Sequence, residues 1–295
     1  MTQMPGRRTV LKNVLAGTAA LTTSGMLHPL LASADSPAVH KLRGNIKQAV
    51  CRWCFGDIPL DKLCAAAKEM GLKGIDLVGP QDWPVLQKYG LHSSMCNGAE
   101  INLTDGWNNK KYHATLIKNY TDMIPLVAKA GYQNLICFSG SRNGMDDERG
   151  LKNCQEGLQQ VLPLAEKHKV TLVMELLNSK IDHKDYQCDR TPWGVALVKR
   201  LGSENFKLLY DIYHMQIDEG DVIRTIKDNH PYFAHYHTAG VPGRHELDET
   251  QELNYPAIMQ AIRDTGFTGF VAQEFIPVQP DKLASLRKAV QLCDV

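Results

Sequence analysis

From Gln48 to its end, this chain repeats one unit eight times: a short apolar run rich in β-branched residues, then a longer stretch of helical periodicity. Strands regularly alternating with helices dictate a parallel sheet covered by helices, because parallel neighbours need a crossover that then shields the sheet face. The spacing predicts strands near Gln48–Trp53, Gly74–Val78, Leu91–Asn97, Asn134–Phe138, Thr171–Glu175, Phe206–Asp211, Phe233–His237 and Gly269–Glu274. Between them it predicts helices near Leu60–Met70, Trp83–Tyr89, His113–Ala130, Leu151–His168, Pro192–Leu201, Asp221–Asn229, Tyr255–Thr265 and Lys282–Leu292. In the fourth, Leu151, Leu158, Val161, Leu162 and Ala165 recur at three- and four-residue steps, an apolar face to lie on the strands. Gly71, Gly131, Gly202 and Gly266 each follow a helix, in keeping with left-handed C-caps at one place in the unit. Eight such units close a single α/β (β/α)8 TIM barrel, here residues 48–295, and the 295-residue length suits one. An open doubly wound sheet would carry a glycine-rich phosphate loop after its first strand; Trp53-Cys-Phe-Gly-Asp57 has none.

Four successive strands end in a polar residue: Thr171-Leu-Val-Met-Glu175, Leu208-Leu-Tyr-Asp211, Ala234-His-Tyr-His237 and Val271-Ala-Gln-Glu274. Their separations of 36, 26 and 37 residues each match one βα unit, so a barrel brings all four to its C-terminal mouth. Three carboxylates gathered there would repel one another, and each would tend to take up a proton; a divalent cation removes the conflict. Three carboxylates and an imidazole suit Mn2+, Mg2+ or Co2+, whereas a structural zinc would normally show cysteines. Singly, each residue has a plainer explanation as a helix N-cap, an ion-pair partner or a satisfied core histidine. The repetition at four strand ends favours metal.

Asn178, His214 and Arg244 follow these ligands in the same loops, placed to hold substrate hydroxyls and a carboxylate, the arginine by its two-pronged guanidinium. Asn178 also reads as a turn former. His235 is expected to point away by strand alternation and is left out of the site.

At the N-terminus, Arg7-Arg8 precede an apolar residue and Lys12; a weakly apolar stretch runs from Asn13 to Leu31, and Ala32-Ser-Ala34 stands before Asp35. A charged start, an apolar middle and an Ala-x-Ala end compose a cleavable signal peptide over 1–34, with 35–47 as linker. The middle contains Gly17, threonines and His28, too weak for a stable membrane span. The paired arginines resemble the twin-arginine signal of proteins exported after folding, which implies the twin-arginine export machinery as a partner and a periplasmic or otherwise exported destination. No long basic run remains to follow a phosphate backbone, so nucleic acid is not an expected partner. A homo-oligomer stays open. The eight cysteines are scattered through apolar runs and read as small core residues. Cys51-Arg-Trp-Cys54 has the two-residue gap of a redox or zinc motif, but no second pair follows, and within a strand its thiols would face apart.

Around these residues the chain resembles the hydroxypyruvate isomerase group of the xylose isomerase-like superfamily, with tagatose 3-epimerases as more distant relatives. The resemblance runs from about Cys51 to Pro277. Its most specific segments are Met174-Glu-Leu-Leu-Asn178, Tyr210-Asp-Ile-Tyr-His-Met-Gln216, Pro242-Gly-Arg-His-Glu246, Glu252-Leu-Asn-Tyr255 and Gln273-Glu-Phe-Ile-Pro277. It implies that Glu175 and Glu274 are metal-site carboxylates that also move the proton, that Asp211 and His237 complete the shell, and that His214 and Arg244 contact substrate. One position departs: bacterial hydroxypyruvate isomerases carry glutamine where this chain has His237, and the epimerases carry histidine. Export departs too, since hydroxypyruvate is a cytosolic metabolite, and it points to a free ketose or an oxidised sugar as other candidate substrates.

The chemistry implied is removal of a proton beside a carbonyl, formation of a cis-enediolate, and return of a proton to the neighbouring carbon (isomerisation) or to the opposite face of the same carbon (epimerisation). A hydrolytic rival on the same barrel, a phosphodiesterase of the apurinic endonuclease type, is expected to need a richer ligand set and a basic face. A non-enzymatic rival is an exported sugar-binding barrel with a structural metal. Two retained glutamates speak against it, because binding needs no acid-base pair.

Overall fold

Eight parallel strands close on themselves in sequence order, with the first paired to the last, in a computed structural model that describes residues 41–295. The strands are β1 (Lys47–Cys51), β2 (Gly74–Val78), β3 (His92–Cys96), β4 (Asn134–Cys137), β5 (Thr171–Glu175), β6 (Phe206–Asp211), β7 (Phe233–Thr238) and β8 (Phe270–Gln273). The expected signal segment 1–34 lies outside the described residues, and so do positions 35–40 of the expected linker. Beyond them, the backbone amide of Arg43 donates to Asp294 Oδ2 at 2.8 Å, and Asn45 Nδ2 donates to the carbonyl of Val295 at 2.8 Å. These bonds tie the entry to β1 to the C-terminal residues, and Ile46 is buried beneath them.

Ten α-helices among the described residues cover the barrel: α1 (Leu60–Met70), α2 (Trp83–Tyr89), α3 (His113–Lys129), α4 (Asp147–Leu158), α5 (Leu162–His168), α6 (Thr191–Leu201), α7 (Ile212–Asp218), α8 (Val222–Asn229), α9 (Tyr255–Asp264) and α10 (Lys282–Leu292). Helix α1 shows why such segments dock. Leu63, Cys64, Ala67 and Met70 share one face and are buried, and each large apolar side chain so covered contributes roughly 1.5–3 kcal/mol. Its end is set by Gly71 at φ 87°, whose amide donates back to the carbonyls of Ala67 and Lys68. A side chain there would be strained.

The helix predicted over Leu151–His168 is two helices. Pro163 lacks an amide hydrogen, and its ring crowds the preceding turn, so α4 stops at Leu158 and α5 restarts at Leu162 with the proline in its first turn. Helix α4 begins earlier than the apolar pattern suggests, because Asp146 Oδ1 accepts from the Arg149 amide at 2.8 Å as its N-cap. Helix α7, absent from the sequence reading, starts directly at the end of β6. The first strand is shorter than predicted, since Trp53–Phe55 coil into a 3-10 turn after Cys51. Cys54 therefore sits on that turn and not in a strand, and all eight cysteines are buried free thiols. No helix among the described residues is long and apolar enough to cross a membrane.

Candidate active site

The barrel brings the four strand-end residues together. Glu175, Asp211, His237 and Glu274 are all buried, and one ligand atom from each lies within 4.8 Å of the others. Glu175 and Asp211 close β5 and β6, and His237 is the last residue but one of β7. Glu274 stands one residue beyond β8, where its amide still donates to the Thr238 carbonyl at 2.9 Å and so keeps strand register. His237 Nδ1 is the hub, at 2.8 Å from Glu274 Oε2, 3.2 Å from Glu175 Oε1 and 3.8 Å from Asp211 Oδ2.

Burial pushes the Glu175 and Asp211 carboxyls above their ordinary range, most strongly for Asp211. Glu274 is buried as deeply yet is held well below it, because the Arg244 guanidinium, His237 and the Trp53 indole outweigh desolvation. Burial also discourages charge on His237, but the Glu274 carboxylate and the bond to Asp76 overcome it and hold the imidazole well above its usual range. Glu175 Oε1 and His237 Nδ1 have no hydrogen-bond partner although both are buried. Buried polar atoms without hydrogen-bond partners, converging among three carboxylates, fit a divalent cation, which would bind Nδ1 in its unprotonated form. The four residues offer three carboxylates and one imidazole as candidate ligands.

The neighbouring residues follow from local folding. Asp211 is both strand end and N-cap of α7: its Oδ1 accepts from the His214 amide at 3.0 Å, which places His214 one turn into the helix beside the ligands. Asn178 is indeed a turn former, its Oδ1 accepting from the amides of Ile181 and Asp182. Its Nδ2 donates to Asp182 Oδ2 and to His214 Nδ1, each at 2.6 Å. An accepting Nδ1 leaves the His214 proton on Nε2, which is buried without a partner, 3.7 Å from Asp211 Oδ2. Burial, reinforced by Arg244, holds His214 well below its ordinary pKa, so a neutral N–H faces the site.

Arg244 sits at φ 61° in the loop after β7, a left-handed conformation kept by its own amide donating to Gly240 O at 2.9 Å. Its guanidinium lies between the rings of Trp53 and Tyr213, 5.1 and 5.4 Å from their centroids. Nη2 donates to Glu274 and approaches Asp211 Oδ2 at 3.5 Å, while Nε has no protein partner among the described residues. Glu246, from the same motif, is a loop anchor: it accepts from the Val278 and Gln279 amides and from Ser285 Oγ, holding the connection that leaves Glu274.

Sequence reasoning missed three groups and misplaced one. Trp53 Nε1 donates to Glu274 Oε1 at 2.8 Å, Tyr213 flanks the arginine, and Asp76 Oδ2 lies 2.7 Å from His237 Nε2. Asp76 had a signal, a charged residue inside the apolar strand Gly74-Ile-Asp-Leu-Val78. His235, expected to point away, faces inward with its Nε2 3.1 Å from Asp76 Oδ1. The reason is elementary: strand side chains alternate with period two, so residues 235 and 237 share a face.

The model of the family described as "Xylose isomerase-like TIM barrel" matches residues 64–292. Among curated relatives, the 2-oxo-tetronate isomerase of Cupriavidus necator is 38% identical over 108 residues, which are 37% of this chain and 41% of that protein. The matched stretch spans less than half the length of several such relatives. The hydroxypyruvate isomerase of Escherichia coli is 24% identical over 76% of this chain and 90% of its own. Among solved structures, one titled AP endonuclease, family 2, from Brucella melitensis superposes with a TM-score of 0.73 at 24% identity, covering 82% of this chain and 97% of that one; it bears on fold alone. With the family model spanning the barrel from α1 to α10, the chain belongs to the xylose isomerase-like TIM barrel family.

Proposed function

We propose that this protein is a metal-dependent isomerase of a small hydroxy-carbonyl compound, with hydroxypyruvate and 2-hydroxy-3-oxopropanoate as the favoured pair. The observation that carries the reading is the approach of both Glu175 and Glu274 to the same His237 Nδ1, at 3.2 and 2.8 Å, inside a buried ligand cluster. A divalent ion held by Glu175, Asp211, His237 and Glu274 would supply positive charge to stabilise the oxyanion that develops beside the reacting carbon. One glutamate takes the proton from the hydroxymethyl carbon, giving the enediolate. The other returns a proton to the former carbonyl carbon, and a hydroxyl proton moves between the two oxygens, so the reaction is redox-neutral overall. His214 Nε2–H and the Arg244 Nε edge are the donors available to seat substrate oxygens. The equivalent proton removal, from the secondary carbinol carbon beside the carbonyl, fits the 2-oxo-tetronate named for the Cupriavidus relative. A second reading, a ketose 3-epimerase, is favoured by histidine at 237, where bacterial hydroxypyruvate isomerases carry glutamine.

The test is incubation of wild-type protein in deuterated water with hydroxypyruvate, tartronate semialdehyde, 2-oxo-tetronate and free ketoses, followed by NMR at the carbon next to the carbonyl. Deuterium entering one compound as its isomer forms is the expected result. Epimer formation selects the second reading, and no exchange in metal-loaded protein sinks both in favour of a binding protein.

Export is a separate proposal, resting on Arg7-Arg8 and on Ala32-Ser-Ala34 before Asp35. Changing both arginines to lysine should leave the precursor inside the cell, as read by fractionation and N-terminal sequencing. Unchanged export would remove the twin-arginine reading.

A further inference from the structure

Below the ligand cluster, inside the barrel, lies a second layer of buried polar groups that the proton-transfer chemistry does not use: Asp76 on β2, Ser94 on β3, His235 on β7 and Cys51 on β1. A carboxylate is not left in a barrel interior without partners. Asp76 Oδ1 accepts from Ser94 Oγ at 2.5 Å and lies 3.1 Å from His235 Nε2; Asp76 Oδ2 lies 2.7 Å from His237 Nε2. Strand neighbours hold Asp76 from both sides, since β2 pairs with β1 and β3.

We infer that Asp76 is a positioning residue, which holds His237 with its proton on Nε2 and thereby presents the Nδ1 lone pair to the metal. The inference rests on the metal reading above. An ionised carboxylate only accepts, so the short Nε2 to Oδ2 contact requires a hydrogen on Nε2. A neutral imidazole has one such hydrogen, and Nδ1, the atom among Glu175, Asp211 and Glu274, is then the free ligand atom. Ser94 and His235 occupy the other oxygen of Asp76, so the carboxylate cannot swing away from His237 without breaking two contacts. Carboxylate support of a metal-bound histidine fixes ring orientation and tautomer together, and losing it costs about 10- to 100-fold in metal affinity.

A competing arrangement uses the same atoms differently. Cys51, Asp76 and His237 also place one ligand atom each within 4.8 Å, a grouping that could hold a second ion below the first. It would need the Nε2 lone pair and so excludes the proton that the inference puts there.

The experiment has two readouts on full-length protein. Histidine-15N NMR of the wild type loaded with Mg2+ should show His237 protonated at Nε2 and not at Nδ1. This readout needs no variant. Mn2+ titration followed by electron paramagnetic resonance should give one ion per chain, with the dissociation constant raised about 10- to 100-fold in Asp76→Asn and Asp76→Ala. Far-ultraviolet circular dichroism checks that both variants are folded. A proton on Nδ1 in the loaded wild type overturns the inference. So does an unchanged constant in a folded variant, or a second Mn2+ lost in Cys51→Ser. Failure of the wild type to bind Mn2+ at all overturns the metal reading itself, and this inference with it.

Discussion

Glu175→Gln and Glu274→Gln should each lower turnover by about two to four orders of magnitude, the range contributed by a positioned general acid or base. Glutamine keeps the size and one oxygen of the side chain but cannot exchange a proton. The two substitutions should also differ from each other. Glu274 accepts from the Trp53 indole and the Arg244 guanidinium, so the amide would put its own N–H against at least one donor and disturb the site beyond the loss of a base. Glu175 faces His237 through Oε1, which has no hydrogen-bond partner, so Glu175→Gln is the cleaner removal of proton transfer. Steady-state rates measured beside metal content check this. A folded, metal-loaded variant of either kind that keeps near wild-type turnover would rule out the proton-transfer pair.

The second large effect concerns the metal. Purified protein should carry about one divalent ion per chain, and Asp211→Ala and His237→Ala should lose it, because removing one of four converging ligands leaves the others with imperfect geometry. Asp211 needs a further control, since it also caps α7. Asp211→Ala removes ligand and cap together, and loss of a cap costs about 0.5–2 kcal/mol. Asp211→Asn removes the carboxylate charge while asparagine still caps well, so the stripped Asn variant should melt no lower than stripped wild type, the Ala variant lower. In the wild type, adding Mn2+ at about 100 times its dissociation constant should stabilise by about 2.7 kcal/mol, and this increment should vanish in all three variants. Elemental analysis and thermal melts with and without chelator read both quantities. Full metal content in Asp211→Ala and His237→Ala would sink the site as drawn.

Much of the barrel was legible because its signals are local and repeated. The eight apolar runs fall on the eight strands, since a strand covered on both faces must be apolar nearly throughout, and a polar residue at its C-terminal end stands out. Glu175, Asp211, His237 and Glu274 were visible for that reason. Gly71 and Gly202 mark helix ends because the left-handed cap is a property of a few consecutive residues. The errors were also local. Pro163 divides the fourth predicted helix, and period two turns His235 inward beside His237. Helix α7 was hidden because it follows β6 with no intervening loop, Asp211 serving as both strand end and N-cap.

What the sequence by itself determined is the closed eightfold architecture and the identity of the four residues at its mouth, because periodicity and the rule that strand ends meet at one face need no knowledge of distances. What only the tertiary structure decided is how those residues are held. Trp53 and Glu274 are 221 positions apart, and Asp76 and His237 are 161 apart, yet each pair is in hydrogen-bond contact. No local pattern encodes such partners. They meet because closing the sheet pairs β1 with β8 and brings side chains of β2 and β7 together in the barrel interior, and a buried carboxylate takes whatever donor that closure brings within reach.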